Sequence, residues 1–295
     1  MTQDPLAGKR VGIIGLARQG KALARWLPTR GASVVAADSK TAEQLKLNPD
    51  DYPGVQFMLG GNIEGFLDGM DLLCLSGGVP LDLPVVQAAV ARGIPLSNDA
   101  QLFLERCPAP VIGITGSACK TTTTTLVGLM MKNAGYTTWV GGNIGDVLLD
   151  VFDQVQPDHR VVMELSSFQL ELATVSPAIS AITNLTPNHL DRHGTMEAYV
   201  RAKANILLHQ RPDDIAVLCR DDAVTYALQD AVVGDLVWFS ARDMVPDGTF
   251  LAGQRIVLSG LASPDGEPHV IGERGDIPLR GEHNVLNVLA ACAIA

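Results

Sequence analysis

The sequence predicts an α/β protein made of two parallel-sheet domains, and three observations predict it. From Arg10 onward, apolar strand-like runs alternate with helix-like amphipathic stretches, the rhythm of β-α-β units. Two of these runs end in a glycine-bearing turn that opens a helix, at Gly15 to Gly20 and at Gly113 to Thr121. The 295 residues are also about twice the length of a typical domain of roughly 100–200 residues.

Taken in order, Val11 to Ile14, Ser33 to Ala37 and Asp71 to Leu75 read as strands, with the amphipathic Lys21 to Leu27 as a helix after the first. Arg106-Cys-Pro-Ala-Pro110 interrupts the rhythm with two prolines, so the domain boundary is set there. Residues 1–107 form an N-terminal Rossmann-like parallel-sheet domain, and residues 108–295 a P-loop-type α/β central domain. The second domain reads as strands at Val111 to Thr115, Arg160 to Leu165, Ala178 to Asn184 and Ile215 to Leu218, with a helix starting near His283. Asn284 to Ala295 is an apolar helix with no Gly, Asn or basic last turn to stop it, so the chain is expected to be cut short inside a larger protein.

Composition narrows the function classes. Hydrophobic residues make up 47% and charged residues 18%, which excludes a disordered chain. Lys+Arg 22 against Asp+Glu 32 gives a net charge of -10, so there is no overall basic field to hold nucleic acid or an anionic membrane, and any phosphate must be captured locally. The five cysteines are scattered without a C-x-x-C pair, which suggests neither a zinc ribbon nor a disulfide framework. No basic leader precedes an apolar stretch, and no apolar run approaches the ~18 residues of a membrane span. A cytoplasmic protein without membrane insertion or nucleic-acid partner is expected.

Gly15-Leu-Ala-Arg-Gln-Gly20, with Asp38 at the end of the next strand, has the layout of a dinucleotide fingerprint. Its middle glycine is Ala17, which weakens NAD but leaves an anion at this helix start open, beside a purely structural turn. Gly113-Ile-Thr-Gly-Ser-Ala-Cys-Lys-Thr121 follows a strand and opens a helix with Leu126, Leu129 and Met130 at helical spacing and a stop at Gly135. Backbone N–H groups there can cradle phosphates, Lys120 can neutralise the β and γ oxygens, and the Thr121 hydroxyl can ligate Mg²⁺. Phosphate loops normally carry glycine just before the lysine. Here Cys119 stands in that place, at a cost of ~1 kcal/mol or more if the position needs a positive φ.

Glu164 ends an apolar strand and is placed to hold a metal on phosphates bound by Lys120. His189 and His193 flank an aspartate in a polar loop, which reads in isolation as a capped turn or as a metal site. Lys203 shares a helix face with Tyr199 and Ile206. Spacing alone gives it no role beyond a snorkelling surface lysine. Asp221-Asp222 reads as a solvated turn.

These motifs together resemble the Mur ligases. The resemblance rests on Gly-Ile-Thr-Gly-Ser-x-x-Lys-Thr-Thr over 113–122, Gly-Gly-Asn-Ile-Gly over 141–145, Glu-Leu-Ser-Ser-Phe-Gln-Leu over 164–170, Asn-His-Leu-Asp-Arg over 188–192, Arg-Ala-Lys over 201–203 and Gly-Glu-His-Asn over 281–284, in that order. It implies a central ATPase domain in a peptidoglycan ligase that adds D-glutamate to UDP-N-acetylmuramoyl-L-alanine through an acyl phosphate. By the resemblance, Gly116, Ser117, Ala118, Cys119, Lys120, Thr121 and Thr122 surround ATP, and Asn284 lies on its adenine side. Thr121 and Glu164 hold one Mg²⁺; His189 and a carbamylated Lys203 hold a second. Lys120, Glu164, His189 and Lys203 are the expected catalytic group. Asn143 and Ser166 contact the muramoyl substrate, while Leu16, Ala17, Asp38, Ser39 and Ser76 form the uridine diphosphate pocket. One departure is Ser76-Gly-Gly78, where the family has Ser-Pro-Gly.

The family's third domain, which supplies the D-glutamate site, has no counterpart in this sequence. A monomeric fragment that binds its nucleotides without completing ligation is therefore expected. Two alternatives stand beside it: a UDP-ligand binding module with an impaired ATP loop, and an NAD-binding dehydrogenase domain.

Overall fold

The computed structural model describes residues 4–295; Met1 to Gln3, at the start of the first expected domain, lie outside the described residues. Contacts divide the chain into two units. The first runs to Phe103 and takes in Val147–Phe152, and the second comprises Leu104–Asp146 and Asp153–Ala295.

In the first unit, five strands form one sheet: β1 (Arg10–Ile14), β2 (Ser33–Asp38), β3 (Val55–Leu59), β4 (Leu72–Leu75) and β5 (Leu96–Ser97). All neighbours are parallel, in the order β3-β2-β1-β4-β5. The chain therefore reverses direction of winding between β1 and β4, which opens a crevice at the strands' carboxyl ends. The helix Arg18–Thr29 buries Leu23, Trp26 and Leu27. Phe152 sets its ring edge-on to Trp26 at 5.4 Å and to Phe103 at 5.7 Å, and Arg25 grips Asp150 at 2.8 Å. This aromatic packing gathers Val147–Phe152 into the first unit although it sits far along the chain.

The second unit holds a nine-stranded sheet. Its strands are β6 (Val111–Thr115), β7 (Thr138–Gly142), β8 (Arg160–Glu164), β9 (Ile179–Ile182), β10 (Ile215–Cys219), β11 (Asp235–Ser240), β12 (Gly248–Ala252), β13 (Arg255–Gly260) and β14 (Gly266–Glu273). The order is β14-β13-β12-β11-β10-β9-β6-β8-β7, parallel from β7 to β12 and antiparallel across β12-β13-β14. Ile112, Ile114, Val162 and Val217 of the sheet pack with Val127 and Met131 of the helix Lys120–Asn133, and with Val285 and Leu289 of the helix Glu282–Ile294. Each such side chain stabilises the fold by about 1.5–3 kcal/mol. Because β8 lies on one side of β6 and β9 on the other, the loops after all three meet at one sheet edge.

Candidate active site

The loop after β6 is shaped by two backbone demands. Gly116 has φ +152, and a Cβ there would lie 2.0 Å from Thr183 Oγ1. Only glycine lets the loop pass so close to the end of β9. Cys119 has φ 70, the left-handed region, just before the helix Lys120–Asn133. The position does need a positive φ, and a thiol side chain occupies it.

The loop is stitched to the segment after β9. Ser117 donates its N–H to Asn184 O (2.9 Å), Ala118 donates to Asn184 Oδ1 (3.0 Å), and the Thr183 hydroxyl donates to Ala118 O (2.9 Å). Ser117 Oγ donates to Thr186 O and accepts from the Thr186 N–H and the Tyr199 hydroxyl. The N–H and hydroxyl of Ser117 thus both bond within the protein. The N–H groups of Lys120, Thr121 and Thr122 lie in the first helical turn, where no intrahelical acceptor exists. Lys120 Nζ donates to Gly116 O (2.9 Å) and Ser117 O (3.3 Å), and burial lowers its pKa against the pull of Glu164.

Glu164, 1% exposed at the end of β8, collects two donors. Thr121 Oγ1 donates to its Oε2 at 2.8 Å, and Asn143 Nδ2 donates to Oε1 at 2.9 Å. A hydroxyl beside a carboxylate is an oxygen pair suited to a hard divalent cation such as Mg²⁺. Among the described residues no group of three His, Cys, Asp or Glu side chains stands ready for a metal.

Lys203 is not the surface lysine its spacing suggests. It is 2% exposed, and its Nζ donates to Thr115 Oγ1 at 3.0 Å. Burial and the nearby Lys120 charge push its pKa down to about 7, with Glu164 opposing. His189 is exposed at φ 53, its ring 5.4 Å from that of Phe168. So Thr121 and Glu164 meet directly, and Lys203 joins them at the end of β6, while His189 is anchored on the turn after β8. Ser166 caps that turn: Gln169 N–H donates to Ser166 Oγ, and Gln169 Oε1 accepts the Ser166 N–H.

Beside the loop lies a cavity of about 170 Å³, lined by Cys119, Asn184, Asp221, Asp222 and Asn287 among others. Asn284 is bound to Arg280 O and to Asn287 Nδ2, and it is Asn287, 2% exposed, that reaches the cavity wall. Sequence reasoning passed over Asn287; its one signal is a polar residue on an apolar helix face, three positions after Asn284. Asp221-Asp222 is no solvated turn either. Asp222 accepts the N–H groups of Val224, Thr225 and Leu185, and Asp221 accepts those of Ala241 and the Ser240 hydroxyl.

The crevice of the first unit holds a cavity of about 520 Å³ lined by Gly15, Ala17, Asp38, Ser39, Ser76 and Gly78 among others. Asp38 accepts the Leu16 N–H at 2.7 Å and the Lys40 N–H at 2.9 Å, so it braces the turn. Leu16 itself is fully buried and contributes only backbone. Ser76 Oγ is buried at this cavity without a protein partner. A Cβ on Gly20 would lie 1.9 Å from Gly15 O, and Gly15 has φ +86, so both outer glycines of the fingerprint are required by the turn.

Comparison with known proteins finds relatives of both units. The Mur ligase middle domain matches residues 114–295, and the Mur ligase MurD-like N-terminal domain matches residues 9–98. A UDP-N-acetylmuramoylalanine–D-glutamate ligase of Clostridium botulinum (strain Loch Maree / Type A3) is 40% identical over 292 residues, 98% of this chain and 62% of that protein. The chain thus spans less than two thirds of this relative's length. Two solved structures share the fold. The UDP-N-acetylmuramate:L-alanyl-gamma-D-glutamyl-meso-diaminopimelate ligase from Neisseria meningitides superposes with TM-score 0.60 at 19% identity, covering 97% of this chain and 92% of that one. The UDP-N-acetylmuramate-alanine ligase from Thermotoga maritima superposes with TM-score 0.55 at 22% identity, covering 96% of this chain and 64% of that one. The chain belongs to the Mur ligase family.

Proposed function

We propose that the whole protein is an ATP-dependent ligase of peptidoglycan synthesis that joins D-glutamate to UDP-N-acetylmuramoyl-L-alanine, and that this chain carries the sites for ATP and for the UDP-sugar. The observation that carries the reading is the chain Thr121–Glu164–Asn143 at the mouth of a loop holding Lys120. It sets a cation-binding oxygen pair beside a lysine and a helix start, the parts a triphosphate needs. The relative named above as a D-glutamate ligase supports the choice of substrates.

In this reading the crevice of the first unit takes the uridine diphosphate, with Ser76 Oγ and the start of the helix Arg18–Thr29 facing the anion. The substrate carboxylate attacks the γ-phosphorus, the bond to the ADP oxygen breaks, and an acyl phosphate results. The free amine of D-glutamate then attacks the acyl carbon, phosphate leaves and the amine sheds a proton. The protein's part is to neutralise and align two polyanions, through Lys120 and the first-turn N–H groups. Mg²⁺ held by Thr121 and Glu164 would supply charge neutralisation on the phosphate oxygens. A protonated amine cannot ligate a metal, and carbamylation of Lys203 would turn it into an anionic oxygen ligand for a second ion beside His189. Its N–C bond forms between the neutral amine and CO₂ with loss of a proton to solvent.

Membership of the family sets aside the dehydrogenase alternative. The binding-module alternative keeps one observation in its favour, the left-handed Cys119. Calorimetry separates the two readings: the ligase binds both MgATP and UDP-N-acetylmuramoyl-L-alanine, and Lys120→Ala loses only the first. Binding of the UDP-sugar with no MgATP isotherm in the unmutated chain selects the module, and binding of neither ligand overturns both.

A further inference from the structure

Glu171, His193 and Ser167 form a hydrogen-bonded row that none of the sites above uses. His193 Nδ1 lies 3.0 Å from Glu171 Oε1, and His193 Nε2 lies 2.9 Å from Ser167 Oγ. With the Nδ1 proton directed at Glu171, Nε2 accepts the Ser167 hydroxyl. Carboxylate, imidazole and hydroxyl stand in the order of a hydrolytic triad, but burial argues against a nucleophile. Ser167 is 2% exposed and the His193 side chain 1%, so no substrate carbonyl reaches the oxygen.

What the row does is hold other groups in place. Ser167 is the neighbour of Ser166, the cap of the turn after β8. Phe168, next in that turn, stacks on the His193 ring at 5.3 Å with the planes 3° apart, and meets His189 edge-on. Tyr199 packs against His193 at 5.2 Å and donates its hydroxyl to Ser117 of the phosphate loop. One imidazole thus touches the Ser166 turn, the segment that presents His189 and the helix that carries Lys203.

We propose that His193, oriented by Glu171, is a positioning residue that fixes the Ser166–Gln169 turn so that Ser166 meets the muramoyl-alanyl part of the UDP-sugar. This rests on the assignment of Ser166 in the proposed function. The row joins two separate segments, the turn from Ser167 to Glu171 and the helix that ends at His193, and its loss frees the turn while leaving the uridine diphosphate crevice, in the other unit, untouched.

The test compares the affinities of UDP-N-acetylmuramoyl-L-alanine and of UDP by calorimetry, in the full chain and in three variants. His193→Phe keeps the stack on Phe168 and removes both hydrogen bonds; Ser167→Ala removes one. Both are expected to lose about tenfold of the preference for the muramoyl-alanyl ligand while UDP affinity stays within about twofold. Glu171→Gln, whose amide oxygen still accepts from Nδ1, is expected to retain the preference. An unchanged preference in His193→Phe and Ser167→Ala overturns the proposal and leaves the function standing. If the unmutated chain itself shows no preference over UDP, the assignment of Ser166 falls and takes the proposal with it. Should His193→Phe fail to fold, Ser167→Ala decides alone, since it deletes a single oxygen.

Discussion

Thr121 donates its hydroxyl to Glu164 Oε2 at 2.8 Å, joining the first turn of the helix after β6 to the end of β8. The contact brings a neutral oxygen and an anionic one to one point without a second carboxylate to repel. A cation entering there replaces a single hydrogen bond, and its charge is met by phosphate oxygens on the open side. Glu164→Gln keeps the shape and the bond from Thr121 but removes the charge. Mg²⁺ is expected to tighten ATP binding to the unmutated chain by at least about tenfold and to the Glu164→Gln variant by less than about twofold. Titration of ATP with and without Mg²⁺ reads this out. Equal Mg²⁺ dependence in the two proteins places the ion elsewhere.

Cys119 sits at φ 70, where an L side chain costs roughly 1–2 kcal/mol and glycine costs nothing sterically. Cys119→Gly is therefore expected to stabilise the chain by about 1 kcal/mol, the gain being trimmed by the larger unfolded-state entropy of glycine. MgATP affinity is expected to rise as well, because the thiol that lines the adjoining cavity is gone. Thermal unfolding and calorimetry check the two effects separately. Unchanged stability with unchanged affinity would show that the loop accommodates the side chain at no cost.

Gly116 presents the opposite case. A Cβ there meets Thr183 Oγ1 at 2.0 Å, and the threonine cannot yield without giving up its bond to Ala118 O. Gly116→Ala is expected to destabilise the chain by more than about 2 kcal/mol, and Thr183→Ser to give no relief because the hydroxyl stays. Denaturant unfolding of the single and double variants measures it. A Gly116→Ala chain as stable as the unmutated one would mean that the loop has room the geometry denies.

The parts of this fold that were legible in the sequence are those written in local periodicity. The strands ending at Ile14, Thr115 and Glu164 and the helices opening after Gly15 and Cys119 all announce themselves by an apolar run followed by a glycine-bearing or polar turn. The antiparallel addition β12-β13-β14 does not, because β14 is exposed almost throughout and carries no alternation to read. Phe152 finds Trp26 and Phe103 only once the chain is folded, and nothing near it in sequence signals that packing. The same holds for polar partners. Lys203 looked like a surface residue because its helix neighbours are all that spacing reveals, whereas its burial comes from Thr115 and the loop at the far end of β6. Ser117 stands in the loop expected to surround ATP, and the bonds that occupy its hydroxyl come from Thr186 and Tyr199, far along the chain.

Lys203 carries the clearest consequence for pH. Its amine titrates near 7 in the folded protein and near 10.5 when unfolded, so between these values the unfolded chain binds the proton more tightly. Stability must then rise with pH across that window, and the full penalty, on the order of 5 kcal/mol, applies below about pH 7 where the buried amine is charged. Lys203→Met removes the penalty and loses one hydrogen bond. In CO₂-depleted buffer the variant is expected to be more stable than the unmutated chain at pH 7, by an amount that shrinks steadily toward pH 10. Titrating groups that do not feel Lys203 cancel in the difference between the two proteins, which leaves Lys203 with its charged neighbours Lys120, Glu164 and His193. Restoring bicarbonate should narrow the gap at pH 7 by converting the amine to an anion that Lys120 attracts, since a carbamate reverses the sign of the contact between them. A gap that ignores both pH and bicarbonate would mean that Lys203 stays charged in the folded protein.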